Sequence, residues 1–183
     1  IAEQCDEQHH TITAHEGAAI ALATGYHIAT GNIPMVYMQN SGLGNCINPL
    51  TSLIDKEVYK IPLLLMIGWR GEPGTKDEPQ HIKQGKVTIP LLESIGIKHF
   101  VLDNEEESVK QQLQKAIHYI KEHGEPYAIV VRKGTFEPYS LSSENAQSSL
   151  TMSREEAIQI VAENLVENEV IVATTGMISR ELF

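Results

Sequence analysis

Cysteine, basic residues and long apolar runs are all scarce in this sequence of 183 residues. Its two cysteines, Cys5 and Cys46, are too few for a disulfide framework or a zinc cluster. Lys and Arg number 14 against 24 Asp and Glu, and the net charge of -10 disfavours binding to nucleic acid. The apolar run at residues 62–67 is far shorter than the ~20 residues of a membrane-spanning helix. The polar N-terminus has no features of a secretion signal, so we expect a cytoplasmic protein without membrane contact.

What is present is the composition of an ordinary globular protein, with 42% hydrophobic and 21% charged residues. Apolar segments change in period and length along the chain as strands and helices do. We predict strands at residues 10–13, 34–39, 62–67, 98–102 and 127–132, and helices at residues 17–30, 48–59, 87–95 and 105–123. This alternation favours an α/β fold, a parallel sheet with helices on both faces.

Beyond the last of these strands the pattern is lost, in a stretch rich in Ser, Asn, Gln and Pro that is typical of a linker. Ser153 then opens a further helix, with Glu156 as its capping-box partner, and residues 170–173 predict another strand. The predicted organisation is a first domain at residues 1–132, a linker at residues 133–152 and the beginning of a second α/β domain at residues 153–183.

A nearly all-apolar helix with one carboxylate at its entrance is the most distinctive feature of the sequence. Residues 17–30 are apolar or small at almost every position, which predicts a helix packed on all faces, and Glu16 directly precedes them. With a strand at residues 10–13, Glu16 would lie at the carboxyl edge of the sheet, where open α/β folds bind ligands. Glu16 is either a charge that complements the helix dipole or a partly desolvated group held for chemistry.

Several motifs in a fixed order resemble those of one enzyme superfamily. They are Glu16-Gly-Ala-Ala, Gly25-Tyr26, Ala29-Thr30-Gly31, the stretch from Tyr37 to Asn45, Gly68 to Gly74, Asp77 to His81, and Thr174-Thr175-Gly176. Together they resemble the pyrimidine-binding domain of the thiamine-diphosphate-dependent 2-keto acid decarboxylases, and within that superfamily the phosphonopyruvate decarboxylases, with the sulfopyruvate decarboxylases as near relatives. The resemblance implies that an early strand and most of the second, diphosphate-binding domain are missing from the sequence.

The resemblance implies thiamine diphosphate as the cofactor, and Glu16 as a catalytic residue that hydrogen-bonds a nitrogen of its pyrimidine ring. For this function, burial must raise the pKa of Glu16 by more than the helix N-terminus lowers it. The other cofactor-binding residues that it implies are Gln39, Asn40, Ser41, Gly42, Leu43, Gly44, Thr175 and Gly176. Alternatively, the glycines only permit turns, and Asn45 or Asn48 caps the next helix.

A polar loop from Gly68 to Ile82 is the best local source of groups that could bind a phosphonate or sulfonate. As substrate-binding residues we predict Trp69, Arg70, Gln80 and His81. Alternatively, Trp69 and Arg70 form a stacked surface pair and His81 caps a helix. Arg132, at the end of another predicted strand, is expected to be solvated.

We expect no metal ligands within this sequence. It lacks the Gly-Asp-Gly and later Asn with which the resembled family binds magnesium and diphosphate, so Mg²⁺ is expected in the missing part of the second domain. His9, His10 and His15 lie close together but lack the spacing of a metal site.

By resemblance, the expected activity is the decarboxylation of 3-phosphonopyruvate to 2-phosphonoacetaldehyde and carbon dioxide, in 2-aminoethylphosphonate biosynthesis. Sulfopyruvate decarboxylation is the near alternative, since the two substrates share their shape and differ in the head group. The family holds its cofactor between subunits, which implies a homodimer or a higher even oligomer. A noncatalytic flavodoxin-like module that binds a nucleotide is a remote alternative, because no Gly-x-Gly-x-x-Gly follows the first predicted strand.

Overall fold

The computed structural model describes residues 9–139, 151–166 and 170–171. The chain divides into two compact units, Ile1–Tyr139 and Ser140–Phe183. The first unit contains the sheet and most of the predicted site residues, and the two units are described separately.

A four-stranded parallel sheet forms the centre of the first unit. Its strands are β1 at Met35–Gln39, β2 at Leu64–Gly68, β3 at Lys98–Val101 and β4 at Tyr127–Val131. They lie in the order β1-β2-β4-β3, and the register pairs Gln39 with Gly68 and Gly68 with Val131. The carboxyl ends of β1, β2 and β4 therefore lie side by side, so the residues that follow them share one edge of the sheet.

Helices accompany the strands in the order that a parallel sheet requires. They are α1 at Glu16–Thr30, α2 at Leu43–Ser52, α3 at Pro79–Ser94 and α4 at Glu106–His123, with a 3₁₀ turn at Asn40–Gly42 and, in the second unit, α5 at Arg154–Glu163. In the ranges that the structure describes, no helix has the length and hydropathy needed to cross a membrane.

The core lies on both faces of the sheet. On one face, α1, α2 and α3 pack Ile20, Leu50 and Leu92 into a cluster that also contains the β2 side chain of Leu65. On the other face, α4 packs beside the neighbouring β2 residue Leu64. Successive side chains of β2 therefore point to opposite faces of the sheet and pack against helices on both, as in a strand buried on both sides. The prediction of an α/β fold, a parallel sheet with helices on both faces, is confirmed.

The helix starts follow local chemistry. In α5, Ser153 Oγ accepts the amide of Glu156 at 3.1 Å, and Glu156 Oε2 accepts the amide of Ser153 at 2.6 Å, so the predicted capping box is confirmed. In α1 the cap is His15, whose Nδ1 accepts the amide of Ala18 at 3.3 Å. This bond leaves Glu16 as the first helical residue.

Helix α2 lies earlier in the sequence than the predicted helix at residues 48–59. It starts at Leu43, directly after the 3₁₀ turn, and ends at Ser52. Beyond it, the carboxylate of Asp55 accepts the amide of Glu57 at 2.8 Å, and Lys60 adopts a left-handed φ of 52°. Such local hydrogen bonds compete with those of a helix. The prediction from apolar spacing alone therefore placed the end of this helix too late.

Helix α3 starts well before residue 87, where the sequence predicted it. It begins at Pro79, because a proline at the first helical position loses no intrahelical hydrogen bond. Pro90, predicted for the first turns, lies inside the helix. The polar loop after β2 therefore ends at Glu78, and Gln80 and His81 belong to the first turn of a helix.

Two predictions around α1 are wrong. Residues 10–13 form no strand. Helix α1 is not packed on all faces, because Ile20 is buried whereas Leu22 and Ile28 are 50% and 69% exposed. An apolar composition does not by itself provide a packing partner for every face of a helix. In the described part of the chain, the sheet covers only one face of α1. In the second unit, Val170 and Ile171 are not in a strand, and residues 172–173 lie outside the described residues.

The loop that follows β2 lies directly on α3. Gly71 has a φ of 68°, and a Cβ on Gly85 would overlap the carbonyl group of Gly71. Trp69 Nε1 donates to the carbonyl oxygen of Gly85 at 2.9 Å. The absence of a side chain at Gly85 thus sets how closely loop and helix approach.

Replacing Gly85 with alanine should destabilise the protein by about 1–3 kcal/mol, because the new methyl group meets a backbone carbonyl that cannot rotate away. Gly25→Ala is the matched control, since Gly25 also lies in a helix but a Cβ there would have nothing within 4 Å. That change should stabilise the protein by up to about 1 kcal/mol. Urea unfolding measures both effects, and a Gly85→Ala variant as stable as the wild type would contradict this contact.

Candidate functional site

Glu16 is held at the carboxyl edge of the sheet by contacts with the segment after β1. Asn45 Nδ2, in α2, donates to Glu16 Oε2 at 2.9 Å. The carboxyl group of Glu16 also lies so close to Gly42 that a Cβ on Gly42 would overlap it. The predicted edge position is therefore correct, although it arises from these contacts and not from a preceding strand.

The charged form of Glu16 is favoured in this chain. The hydrogen bond from Asn45 is the largest influence that lowers the pKa of Glu16, followed by its own backbone amide, and these outweigh the opposing effect of burial. The expectation that burial dominates is therefore not met within the chain. Burial and, less strongly, the Glu16 charge raise the pKa of the nearby Cys46 thiol to about 12.

A cavity of about 800 Å³ opens beside Glu16. It is lined by residues 9–16, by Ala19 of α1 and by residues 35–38 of β1. A carboxylate at the rim of a partly apolar cavity is a chemically suitable partner for an aromatic nitrogen heterocycle, since the ring packs on the apolar wall while the carboxylate binds its polar edge. These residues fit the pyrimidine end of thiamine diphosphate.

Asn40, predicted to contact the cofactor, is 4% exposed and bonded on both sides of its amide. Its Nδ2 donates to the carbonyl oxygen of Arg70 at 2.8 Å and to Thr88 Oγ1 at 2.9 Å. Its Oδ1 accepts the amide of Arg70 at 3.0 Å. Asn40 therefore ties the end of β1 to the loop after β2 and to α3.

The other predicted cofactor residues differ in their surroundings. Leu43 is buried in the core, and Gly42 is buried beneath Glu16. Gln39, Ser41 and Gly44 are exposed, and Gln39 Oε1 accepts the Ser41 hydroxyl at 2.7 Å. Thr175 and Gly176 lie outside the described residues. Their contact with a cofactor stays a prediction.

Asp77 is the centre of the predicted substrate-binding region. Its Oδ1 accepts from Arg70 Nη2 at 2.5 Å, from His81 Nδ1 at 3.0 Å and from the amide of Glu78 at 2.7 Å. Its Oδ2 accepts from Arg70 Nε at 2.9 Å and from the amide of Gly71 at 2.7 Å. These bonds, that of Arg70 above all, hold the pKa of Asp77 far below its usual range despite burial.

The remaining predicted substrate residues are arranged around this centre. Trp69 is half-buried against the core and uses its indole N–H on Gly85, whereas Gln80 is exposed in the first turn of α3. Arg132, expected to be solvated, pairs with Glu72, its Nε lying 2.8 Å from Oε1. Arg70 and Arg132 at this edge are therefore both paired with carboxylates.

Two residues of this edge were not predicted to be functional. Asn45 was considered only as a cap, and its bond to Glu16 spans 29 positions in the sequence. Asp77 belongs to the motif Asp77 to His81 but had no predicted function of its own, although His81 follows it at the i, i+4 spacing of a contact pair.

Known proteins are similar to this chain over most of its length. Residues 1–89 match the family described as thiamine pyrophosphate enzyme, N-terminal TPP binding domain. The chain is 30% identical to the phosphonopyruvate decarboxylase of Streptomyces hygroscopicus over 187 residues, which cover 94% of the chain and 46% of that protein. Over residues 1–89 the chain is similar to the thiamine pyrophosphate enzymes.

A second group of relatives covers less of the chain. The sulfopyruvate decarboxylase subunit alpha of Methanococcus maripaludis is 40% identical over 105 residues, 57% of the chain and 60% of that subunit. The corresponding subunit of Methanothermobacter thermautotrophicus is 35% identical over 88 residues, 48% of the chain and 51% of that subunit. The chain spans about half the length of the phosphonopyruvate decarboxylases that it matches.

Among residues 9–139, 151–166 and 170–171, no group of three or more His, Cys, Asp or Glu side chains could hold a metal ion.

Replacing Asn45 with alanine should raise the pKa of Glu16, because the largest influence that lowers it is removed. A lowered folded-state pKa contributes stability above the unfolded-state pKa and loses it as the pH falls through the folded-state value. The stability deficit of Asn45→Ala should therefore be larger at pH 7 than in acid. Carboxyl carbon NMR titration measures the pKa, and urea unfolding at two pH values measures the deficit.

The matched control is Asn48→Ala, one turn along α2, where the side-chain oxygen accepts the hydroxyl of Ser52 at 2.8 Å. It should leave the Glu16 titration unchanged. If Asn45→Ala also leaves it unchanged, the hydrogen bond does not control the Glu16 charge.

Proposed function

We propose that the full-length protein is a carboxy-lyase that uses thiamine diphosphate to convert 3-phosphonopyruvate to 2-phosphonoacetaldehyde and carbon dioxide, as a step of 2-aminoethylphosphonate biosynthesis. The observation that carries this proposal is the Glu16 carboxylate, held by Asn45 beside a large cavity in the segment that matches the TPP binding domain. The phosphonopyruvate decarboxylases, whose match covers 94% of the chain, support the choice of substrate.

Bound thiamine diphosphate supplies the electron sink that the loss of carbon dioxide requires and that no side chain provides. Glu16 binds a nitrogen of the pyrimidine ring and holds or releases the proton at that point. Asn45 occupies Oε2 of Glu16 and so orients the carboxylate toward the ring. Covered by the bound cofactor and shielded from water, Glu16 would have its pKa raised from the lowered value, so that it could hold and release a proton there. Gln39, Ser41 and Gly44 line the exposed turn beside this group.

Arg70 and His81 bind the anionic head group of the substrate, with Trp69 and Gln80 beside them. Guanidinium and imidazole N–H groups form strong hydrogen bonds with phosphonate and sulfonate oxygens. Sulfopyruvate decarboxylase is therefore the second candidate activity, and the named sulfopyruvate decarboxylase subunits among the relatives support it. A noncatalytic nucleotide-binding module is the remaining alternative.

The assembly that we propose is a homodimer or a higher even oligomer with each cofactor between subunits. Residues 153–183 begin the diphosphate-binding domain, in which Thr175 and Gly176 contact the cofactor, and the Mg²⁺ ligands lie in the remainder of that domain. Some relatives carry the word subunit in their names. On the outer face of β1, Met35 and Tyr37 are 43% and 67% exposed, and Leu22 of α1 is also exposed. These apolar side chains supply surface for an association.

Glu16→Gln in the full-length enzyme should lower kcat by at least about a hundredfold, because the amide cannot hold and release the proton. The exposed Glu57→Gln variant is the control and should keep wild-type turnover. Thermal unfolding checks that both variants keep the fold. Near-normal decarboxylation by Glu16→Gln would remove Glu16 from the mechanism and with it the main support of the proposal.

Arg70→Ala or His81→Ala should raise the KM for the 2-keto acid by about ten- to a hundredfold, the usual cost of a hydrogen bond to a charged group. The affinity for thiamine diphosphate should change much less. Arg132→Ala is the matched control, since Arg132 is a second arginine paired with a carboxylate at the same edge, to which the proposal assigns no contact with the substrate. Turnover of phosphonopyruvate and sulfopyruvate is measured side by side for every variant. Unchanged KM in both Arg70 and His81 variants would return this loop to a structural function.

The nucleotide-binding alternative is tested on the same protein by thermal unfolding with added ligands. Thiamine diphosphate with Mg²⁺ should raise the Tm, whereas FMN and NAD should not. The reverse pattern would reject the enzymatic proposal.

A further inference from the structure

We propose that Asp77 is a positioning residue, which holds Arg70 and His81 in the orientation that binds the substrate head group; this inference rests on the proposed function. Asp77 contacts neither substrate nor cofactor in this proposal. It acts through the two side chains that it binds.

The first support is the geometry of the cluster. One oxygen of Asp77, Oδ1, accepts from both Arg70 Nη2 and His81 Nδ1, at 2.5 Å and 3.0 Å. The other oxygen accepts Arg70 Nε. Arg70 is thus bound along one side of its guanidinium group and His81 through one ring nitrogen. The Nη1 group of Arg70 and Nε2 of His81 lie on the sides away from these bonds, because the groups are planar.

The second support is the order of burial. The side chain of Asp77 is 8% exposed, that of His81 is 13% exposed and that of Arg70 is 38% exposed. The carboxylate therefore lies beneath the cation. An anion that approaches this edge meets the guanidinium group of Arg70 before it meets the negative charge of Asp77. This order permits an anion site in spite of the nearby carboxylate.

The third support is that other contacts already fix the backbone of this loop. Asn40 bonds both the amide and the carbonyl group of Arg70, and Trp69 is anchored to Gly85. If Asp77 served only to hold the loop backbone in place, its two bonds to the amides of Gly71 and Glu78 would be sufficient. The three bonds from Arg70 and His81 instead control two side chains.

Charge and positioning predict opposite results for Asp77→Asn. If Asp77 acts only through its charge, neutralising it removes repulsion and should lower the KM for phosphonopyruvate. If it positions Arg70 and His81, the freed side chains must be ordered when substrate binds, and the KM should rise about tenfold. The affinity for thiamine diphosphate should stay within about twofold in the positioning case.

The experiment compares the full-length wild type with Asp77→Asn and with Glu72→Gln. Glu72 lies in the same loop and pairs with Arg132, so its variant loses a similar charge without touching Arg70 or His81. We expect a raised KM for phosphonopyruvate in Asp77→Asn alone, with a smaller change in kcat. In an Arg70→Ala background, Asp77→Asn should raise the KM by less than it does in the wild type, because the side chain through which it acts is gone.

The remaining outcomes reject either the proposed function or the positioning function of Asp77. A wild type that decarboxylates neither keto acid rejects the proposed function, and this inference with it. An active wild type with an unchanged or lowered KM in Asp77→Asn rejects only the positioning function. If Asp77→Asn does not fold, Asp77→Glu replaces it, since this change keeps the charge but cannot keep all five bonds. Loss of thiamine diphosphate binding and of thermal stability in both variants would assign Asp77 to the fold and overturn the inference.

Discussion

The parallel register of β1, β2 and β4 is the constraint on which the rest of this structure depends. It brings the ends of three strands to one edge, where the chain leaves regular structure and its backbone groups need new partners. Asn40 supplies such partners for both polar groups of Arg70. Asp77 supplies them for the amides of Gly71 and Glu78. The polar residues that complete the fold at this edge are therefore the same ones that organise its candidate site.

Charge at this edge is balanced by pairing. Arg70 is bound by a buried carboxylate, and Arg132 by Glu72. Glu16 is bound by the neutral amide of Asn45, which stabilises its charged form without cancelling it. The edge thus offers a negative group beside the large cavity and oriented N–H donors on α3 and the loop before it. That division suits a cofactor with a polar ring nitrogen and a substrate with an anionic head group.

Much of the local structure follows from residues that are near neighbours in the sequence. Periods or spacings within a few residues reveal the four strands from residue 35 onward, the long helix that ends at His123 and the capping box at Ser153. The start of α3 was predicted too late, because apolar spacing does not take into account that a proline such as Pro79 favours the first position of a helix. The order of the motifs likewise indicated the resemblance to thiamine-diphosphate enzymes, whereas the edge position of Glu16 was inferred from a strand at residues 10–13 that does not form.

The sequence by itself determined the α/β class through its local periodicity and the carboxylate at the start of α1, and its motifs carried the resemblance to thiamine-diphosphate enzymes. Only the tertiary structure decided what holds that carboxylate and how the arginines are used. The bond between Asn45 and Glu16 spans 29 positions, and those between Asn40 and Arg70 span 30. Partners so far apart meet only after the strands are in register, and a hydrogen bond depends on distances of a few tenths of an ångström. Tertiary structure likewise determines which face of α1 is exposed, since the composition of a helix shows that a face is apolar but not what packs against it.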